Sequence, residues 1–156
     1  MIRVLFVCLG NVCRSPMAEF VFKDLIEKEG MESMFVVDSA ATSSYNEQVK
    51  EETDYRVLEL LKREKIKTYK HVSRQIRKED YDRFDYILGM EDRNVLDILK
   101  IVGEDKEGKV KRLLDYTTVP NNIADPWYTG DFDKAYYDIL YGCTELLKYL
   151  KENGKI

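Results

Sequence analysis

The sequence predicts an α/β fold: a single domain over residues 1–156, built as a three-layer sandwich with a four-stranded parallel sheet and helices on both faces. Three observations carry that expectation. Short apolar runs alternate with segments of helical period, which is the order that β-α-β units leave in a chain. Hydrophobic residues make up 44% of the 156, enough for one sizeable core. No internal repeat, low-complexity stretch or linker divides the chain.

Arg3 to Cys8, rich in Val, Leu and Phe, reads as a buried strand. Ser15-Pro16 then opens a helix, with Ser as a favoured cap and Pro suited to the first turn. Apolar residues recur at Met17, Phe20, Val21, Leu25 and Ile26, and Gly30 stops the helix. Met34 to Val37 reads as the second strand, and Thr42 to Glu52 as a surface loop. Thr53 is expected to cap a helix running to about Lys65. Phe84 to Leu88 is the third strand, Asp92 to Lys100 a helix, and Val110 to Leu114 the fourth strand. Asp131 caps a long last helix whose apolar face includes Tyr136, Ile139, Leu140, Cys143, Leu147 and Leu150, with Gly154 at its end.

Charge narrows the function classes. The net charge is −4 and the basic residues are spread out, so no basic stripe of the nucleic-acid-binding kind is present. No apolar run reaches the length of a membrane span. Met1 to Val7 is too short for a signal peptide and reads as strand. Cys8, Cys13 and Cys143 are too few and too unevenly placed for a disulfide framework, so the expectation is a reduced, cytoplasmic protein. An anionic substrate must then be held by local geometry.

The segment Cys8-Leu9-Gly10-Asn11-Val12-Cys13-Arg14-Ser15 joins a strand to a helix N-terminus. A tight loop there turns backbone N–H groups towards an anion, and the helix dipole adds positive potential. Gly10 and Asn11 tolerate unusual backbone angles. Arg14 offers a planar fork that matches two phosphate oxygens. The same potential favours a thiolate at Cys8. Together these parts describe phosphoryl transfer to sulfur, with the loop amides and Arg14 holding the equatorial oxygens.

The stretch Val7 to Glu19 resembles the signature of the low-molecular-weight protein tyrosine phosphatases. Asp38 to Ser43, His71 to Gln75, Phe84 to Met90 and Asp125 to Tyr128 resemble further blocks of that family, in family order. The resemblance implies a phosphocysteine mechanism with phosphotyrosine-containing proteins as partners and no cofactor. It implies Asp125 as the acid that protonates the leaving phenolate and later activates water, with best activity on the acid side of neutral. It implies a Ser15 hydroxyl bonded to the Cys8 sulfur, and a bracing network of Asn11, Ser15, Ser39 and His71. It implies a reversible Cys8–Cys13 disulfide, and a pocket mouth lined by Tyr45, Trp127 and Tyr128 beside Leu9. A phosphoarginine-preferring relative carries Thr at the position matching Val12, so Val12 points to phosphotyrosine. Asn46 to Glu52 departs from the family's turn, being acidic and longer, which leaves the placement of Tyr45 open.

Residue types weigh against other classes, with arsenate reductase of the same fold and phosphoarginine phosphatase standing as the alternatives. There is no His cluster, paired-Cys motif or Asp-rich loop for a metal, and no Gly-Lys-Ser/Thr for a nucleotide. Arsenate reduction on this fold needs a resolving cysteine after the third strand, where Phe84 to Asn94 holds Gly89 and no Cys. A sugar-transport phosphocarrier has little use for a general acid, which Arg14 with Asp125 argues against, and an inactive binding domain is disfavoured by Cys8, Arg14 and Asp125 standing together. A monomer or weak dimer is expected.

Overall fold

The computed structural model describes residues 1–156. Four strands form one sheet: β1 (Ile2–Cys8), β2 (Phe35–Ala41), β3 (Tyr86–Gly89) and β4 (Val110–Arg112). Their spatial order is β2-β1-β3-β4, and every neighbouring pair is parallel. Val4 to Val7 are wholly buried, as a central parallel strand covered on both faces requires. Alternate residues serve opposite layers. Val4, Phe6 and Cys8 face the larger core, with α1 (Arg14–Lys28) and α7 (Phe132–Glu152). Leu5 and Val7 face the smaller core, with Ile98 and Val102 of α5 (Asp92–Val102). The α/β sandwich expected from the strand–helix alternation is therefore the observed architecture.

Shorter helices complete the chain: α2 (Tyr45–Gln48), α3 (Tyr55–Arg63), α4 (Asp80–Arg83) and α6 (Pro126–Thr129). The sheet register sets Cys8 beside Ala41 and Val7 beside Gly89, so the ends of β1, β2 and β3 lie at one edge. Ligands of open parallel sheets sit beyond that carboxyl edge.

Several boundaries differ from the sequence reading. Ser15 is not the cap of α1; the helix starts at Arg14 behind Cys13, and the Ser15 hydroxyl is drawn to the Cys8 sulfur. Asp54, not Thr53, caps α3, because its carboxylate takes both the Arg56 backbone N–H and the Arg56 guanidinium. Met34 lies in a 3₁₀ turn, and β2 runs on to Ala41, paired with β1 as far as Cys8. β3 starts at Tyr86, after α4. β4 stops at Arg112, and Leu113 and Leu114 turn inward on a 3₁₀ segment beneath α7. Gly142 permits that approach, since a Cβ there would lie 2.6 Å from Leu113 Cγ. Asp131 caps α7 as expected, accepting from the Lys134 N–H at 2.9 Å.

Candidate active site

Cys8 ends β1, and residues 9–13 fold back over it to start α1. The loop's carbonyls are tied to the scaffold. Thr42 N–H donates to Cys8 O at 2.9 Å, Ser43 N–H to Leu9 O at 3.0 Å, and Asp54 N–H to Val12 O at 2.9 Å. The Ser73 hydroxyl donates to Gly10 O at 2.9 Å. With the carbonyls held this way, the N–H groups of Asn11 and Ser15 approach Cys8 Sγ at 3.3 and 3.4 Å. The N–H groups of Leu9, Gly10, Val12, Cys13 and Arg14 meet no protein acceptor. Such amides at the start of a 15-residue helix make an anion nest.

Asn11 sits at φ +57°, in the left-handed region that Asn tolerates better than most residues. Its side chain then braces the loop. Nδ2 donates to Ser15 Oγ at 2.7 Å and to Ser39 Oγ at 3.0 Å, while Oδ1 lies 2.8 Å from His71 Nε2. Ser15 Oγ stands 3.0 Å from Cys8 Sγ. Ser39 Oγ donates at 2.7 Å to Glu19, a buried carboxylate that also accepts from the Tyr69 hydroxyl. Glu19, Asp38 and His71 cluster closely enough to suggest a cation site, but Asp38 is bonded to Arg74 and to the Ser39 N–H. These groups serve the loop's network.

Arg14 is buried, and its guanidinium faces the acidic residues of two other loops. Nη1 donates to Glu91 and, at 2.8 Å, to Ile123 O; Nη2 donates to Asp125 Oδ2 at 3.3 Å. Burial works against its charge, yet Cys8, Asp125 and Glu91 outweigh it and hold the guanidinium more firmly protonated than usual. Asp125 caps α6, its Oδ1 accepting from Trp127 N–H at 3.0 Å. Glu91, which pairs with Arg14, is a residue of the candidate site that sequence reasoning missed. Its only signal was its place just past β3, at the sheet edge where ligands bind.

These elements enclose a cavity of about 460 Å³ with Cys8 at its base. Leu9, Tyr45, Trp127 and Tyr128 line it and are 42–77% exposed, which makes them an apolar rim and not core. Tyr45 and the first three residues of the atypical segment form α2, which brings Asn46 over Gly10, where an added Cβ would meet Asn46 Oδ1 at 3.0 Å. All three cysteines are free thiols. Burial first, then the charges of Asp54, Cys8 and Asp125, push the Cys13 thiol up, with Arg56 opposing. Burial alone pushes up Cys143, which lies in the core of α7 as its apolar stripe predicts.

Residues 3–156 match the sequence model of a family described as low molecular weight phosphotyrosine protein phosphatase. Low molecular weight protein-tyrosine-phosphatase YfkJ of Bacillus subtilis is 37% identical over 158 residues, with 100% of each chain covered. A human low molecular weight phosphotyrosine protein phosphatase is 41% identical over 150 residues, with 93% of each chain covered. The crystal structure of Bacillus subtilis YfkJ aligns with a TM-score of 0.91 at 38% identity, over 98% of this chain and 96% of that one. The crystal structure of a drosophila arginine phosphatase aligns with a TM-score of 0.85 at 35% identity, over 97% and 98%.

Proposed function

This chain belongs to the low molecular weight phosphotyrosine protein phosphatase family, and from that membership we propose that it hydrolyses phosphotyrosine in proteins through a phosphocysteine intermediate on Cys8. The observation that carries the proposal is the setting of the Cys8 sulfur. The backbone N–H groups of Asn11 and Ser15 and the Ser15 hydroxyl converge on it, at the base of a loop with five unpaired amides.

In this reading a phosphate sits on the amides of residues 9–14, and Arg14 turns donors to two of its oxygens. The Cys8 thiolate attacks phosphorus in line, the S–P bond forms, and the P–O bond to the tyrosine breaks. Asp125 gives its proton to the departing phenolate. Water then attacks phosphorus, Asp125 takes a proton from it, and the S–P bond breaks to return inorganic phosphate and the thiolate. The Ser15 hydroxyl holds the sulfur's charge at both ends of the cycle.

The rim of Leu9, Tyr45, Trp127 and Tyr128 suits an aromatic ring entering above the phosphate. Val12 also lines the cavity, and its apolar side chain agrees with phosphotyrosine over phosphoarginine. Gly89 at the end of β3 and the burial of Cys143 fit hydrolysis better than arsenate reduction, which needs an accessible second thiol. Peroxide oxidation of Cys8 followed by attack from Cys13 closes a protective disulfide with loss of water. No helix is long and apolar enough to cross a membrane, and the free thiols agree with a reduced, cytoplasmic setting. The chain acts as one domain, as a monomer or weak dimer, without metal or cofactor.

The test is metal-free hydrolysis of para-nitrophenyl phosphate, a phosphotyrosine peptide and a phosphoarginine peptide by wild type, Cys8→Ser and Asp125→Ala. Support comes from an active wild type that prefers the phosphotyrosine peptide, a dead Cys8 variant and a strongly slowed Asp125 variant. A folded, reduced wild type inactive on every substrate ends the proposal, and a preference for phosphoarginine reassigns the substrate.

A further inference from the structure

Arg56 lies outside the cavity and has no part in the chemistry described above. Its guanidinium is nevertheless tied on two sides. On one side Nε and Nη2 donate to the two Asp54 oxygens at 3.0 and 2.8 Å. Asp54 is itself bonded to the phosphate loop, through its N–H on Val12 O at 2.9 Å. On the other side the guanidinium stands over the Trp127 ring at 5.5 Å and over Phe132 at 4.6 Å, with Tyr55 at 5.7 Å. These are cation–π distances.

Trp127 in turn holds the acid through its backbone N–H, which donates to Asp125 Oδ1 at 3.0 Å. Asp125 caps α6 and Trp127 lies within it, and α6 is a single four-residue turn with little rigidity of its own. The Trp127 ring is 56% exposed, so core packing does not fix it. A continuous path therefore runs from Val12 through Asp54, Arg56 and Trp127 to Asp125, joining the phosphate loop to the loop that carries the acid.

We propose that Arg56 is a positioning residue for the general acid: it clamps the Trp127 ring to Asp54 and so sets Asp125 at a constant distance from the phosphate loop. The proposal rests on the assignment of Asp125 above. Positioning has a distinct kinetic signature. A misplaced acid harms expulsion of a poor leaving group more than a good one, and leaves the phosphate nest as it was.

Trp127 is the only tryptophan, so tryptophan fluorescence comes from this ring alone. Arg56→Met keeps the stem and removes the cation and its hydrogen bonds; Arg56→Lys keeps a cation over the rings. Acrylamide quenching and anisotropy are measured for each, with kcat/KM on phenyl phosphate and para-nitrophenyl phosphate and the inhibition constant of inorganic phosphate. The Met variant is expected to show stronger quenching and lower anisotropy. Its kcat/KM on phenyl phosphate falls about tenfold, part of the ~10²–10⁴ that a positioned acid contributes. The loss on para-nitrophenyl phosphate is smaller, phosphate binding is unchanged, and the Lys variant falls between. Unchanged quenching in both variants overturns the proposal. So does an equal loss on both substrates with weaker phosphate binding, which assigns Arg56 to support of the phosphate loop. A wild type inactive on both substrates removes the phosphatase reading, while the fluorescence comparison still decides whether Arg56 clamps Trp127.

Discussion

The Asn11 side-chain amide donates to Ser15 Oγ at 2.7 Å and so leaves the hydroxyl proton for two acceptors, Cys8 Sγ at 3.0 Å and Ala40 O at 3.4 Å, of which an ionised sulfur is the nearer and the stronger. A hydroxyl used as acceptor on one side is a better donor on the other. In the proposed cycle, Ser15→Ala removes the one hydroxyl placed to bond the sulfur as it leaves the phosphoenzyme. Hydrogen bonds to charged groups are worth ~1.5–3 kcal/mol, so phosphoenzyme hydrolysis is expected to slow by about tenfold or more. Rapid-quench measurement of phosphoenzyme build-up and decay checks this.

Asn11 does two things that substitution separates. Its backbone occupies φ +57°, and its side chain bonds Ser15, Ser39 and His71. Asn11→Gly keeps the backbone freedom and loses the bonds; Asn11→Ala loses both. Both variants are expected to lose most activity, with the Ala variant less stable than the Gly variant by about 1–2 kcal/mol, the cost of the left-handed region for a residue with a Cβ. Thermal melts of the pair give the difference directly.

Glu91 and Asp125 hold Arg14 from two sides. Glu91→Gln keeps an acceptor and removes the charge. The guanidinium is then freer to follow Asp125, and its fork is less well aimed at a bound phosphate. Displacements on the 1 Å scale cost up to about a hundredfold in rate, so a fall of about tenfold in kcat/KM, with weaker inhibition by phosphate, is expected. Steady-state kinetics with product inhibition measures both.

The Asp54 carboxyl is held below its ordinary range, first by the Arg56 guanidinium bond; burial opposes, and the Arg56 N–H and charge add to the lowering. Its folded pKa is therefore below its unfolded one. The stability it contributes is fully present above about pH 3.9 and is lost as pH falls through the lower, folded value. Asp54→Asn retains a capable helix cap, so it isolates the charge. The wild type is expected to melt higher than the variant at pH 7, and the gap is expected to close in the acid range. Melts from pH 7 to pH 3 provide the check.

The sequence made β1, α1 and α7 plain because their apolar periods are unbroken, and those elements place Cys8, Arg14 and the larger core. The family blocks led to Asp125, Ser39, His71 and the aromatic rim, which the fold brings to one edge of the sheet. What was misread depended on competition between adjacent residues. Thr53 and Asp54 are both capping types, and only the contact with Arg56 decides between them. Ser15 has a cap's chemistry but a sulfur for a neighbour. The end of β2 carries Asp38-Ser39-Ala40-Ala41, which has no strand signature; pairing with β1 makes it a strand. Glu91 is one of 29 acidic residues, and no spacing separates it from the others before β3 is placed.

The four bonds that turn the phosphate loop's carbonyls away from the sulfur come from Thr42, Ser43, Asp54 and Ser73. β1 and α1 alone cannot finish the nest, and the chain must first lay down everything through residue 73. An anion that recognises only the finished nest shifts the balance between docked and undocked forms of that whole segment by mass action. Inorganic phosphate, the product of the proposed reaction, is thereby expected to act as a folding ligand. A protease that cuts the undocked 42–73 segment would find less of it as phosphate rises.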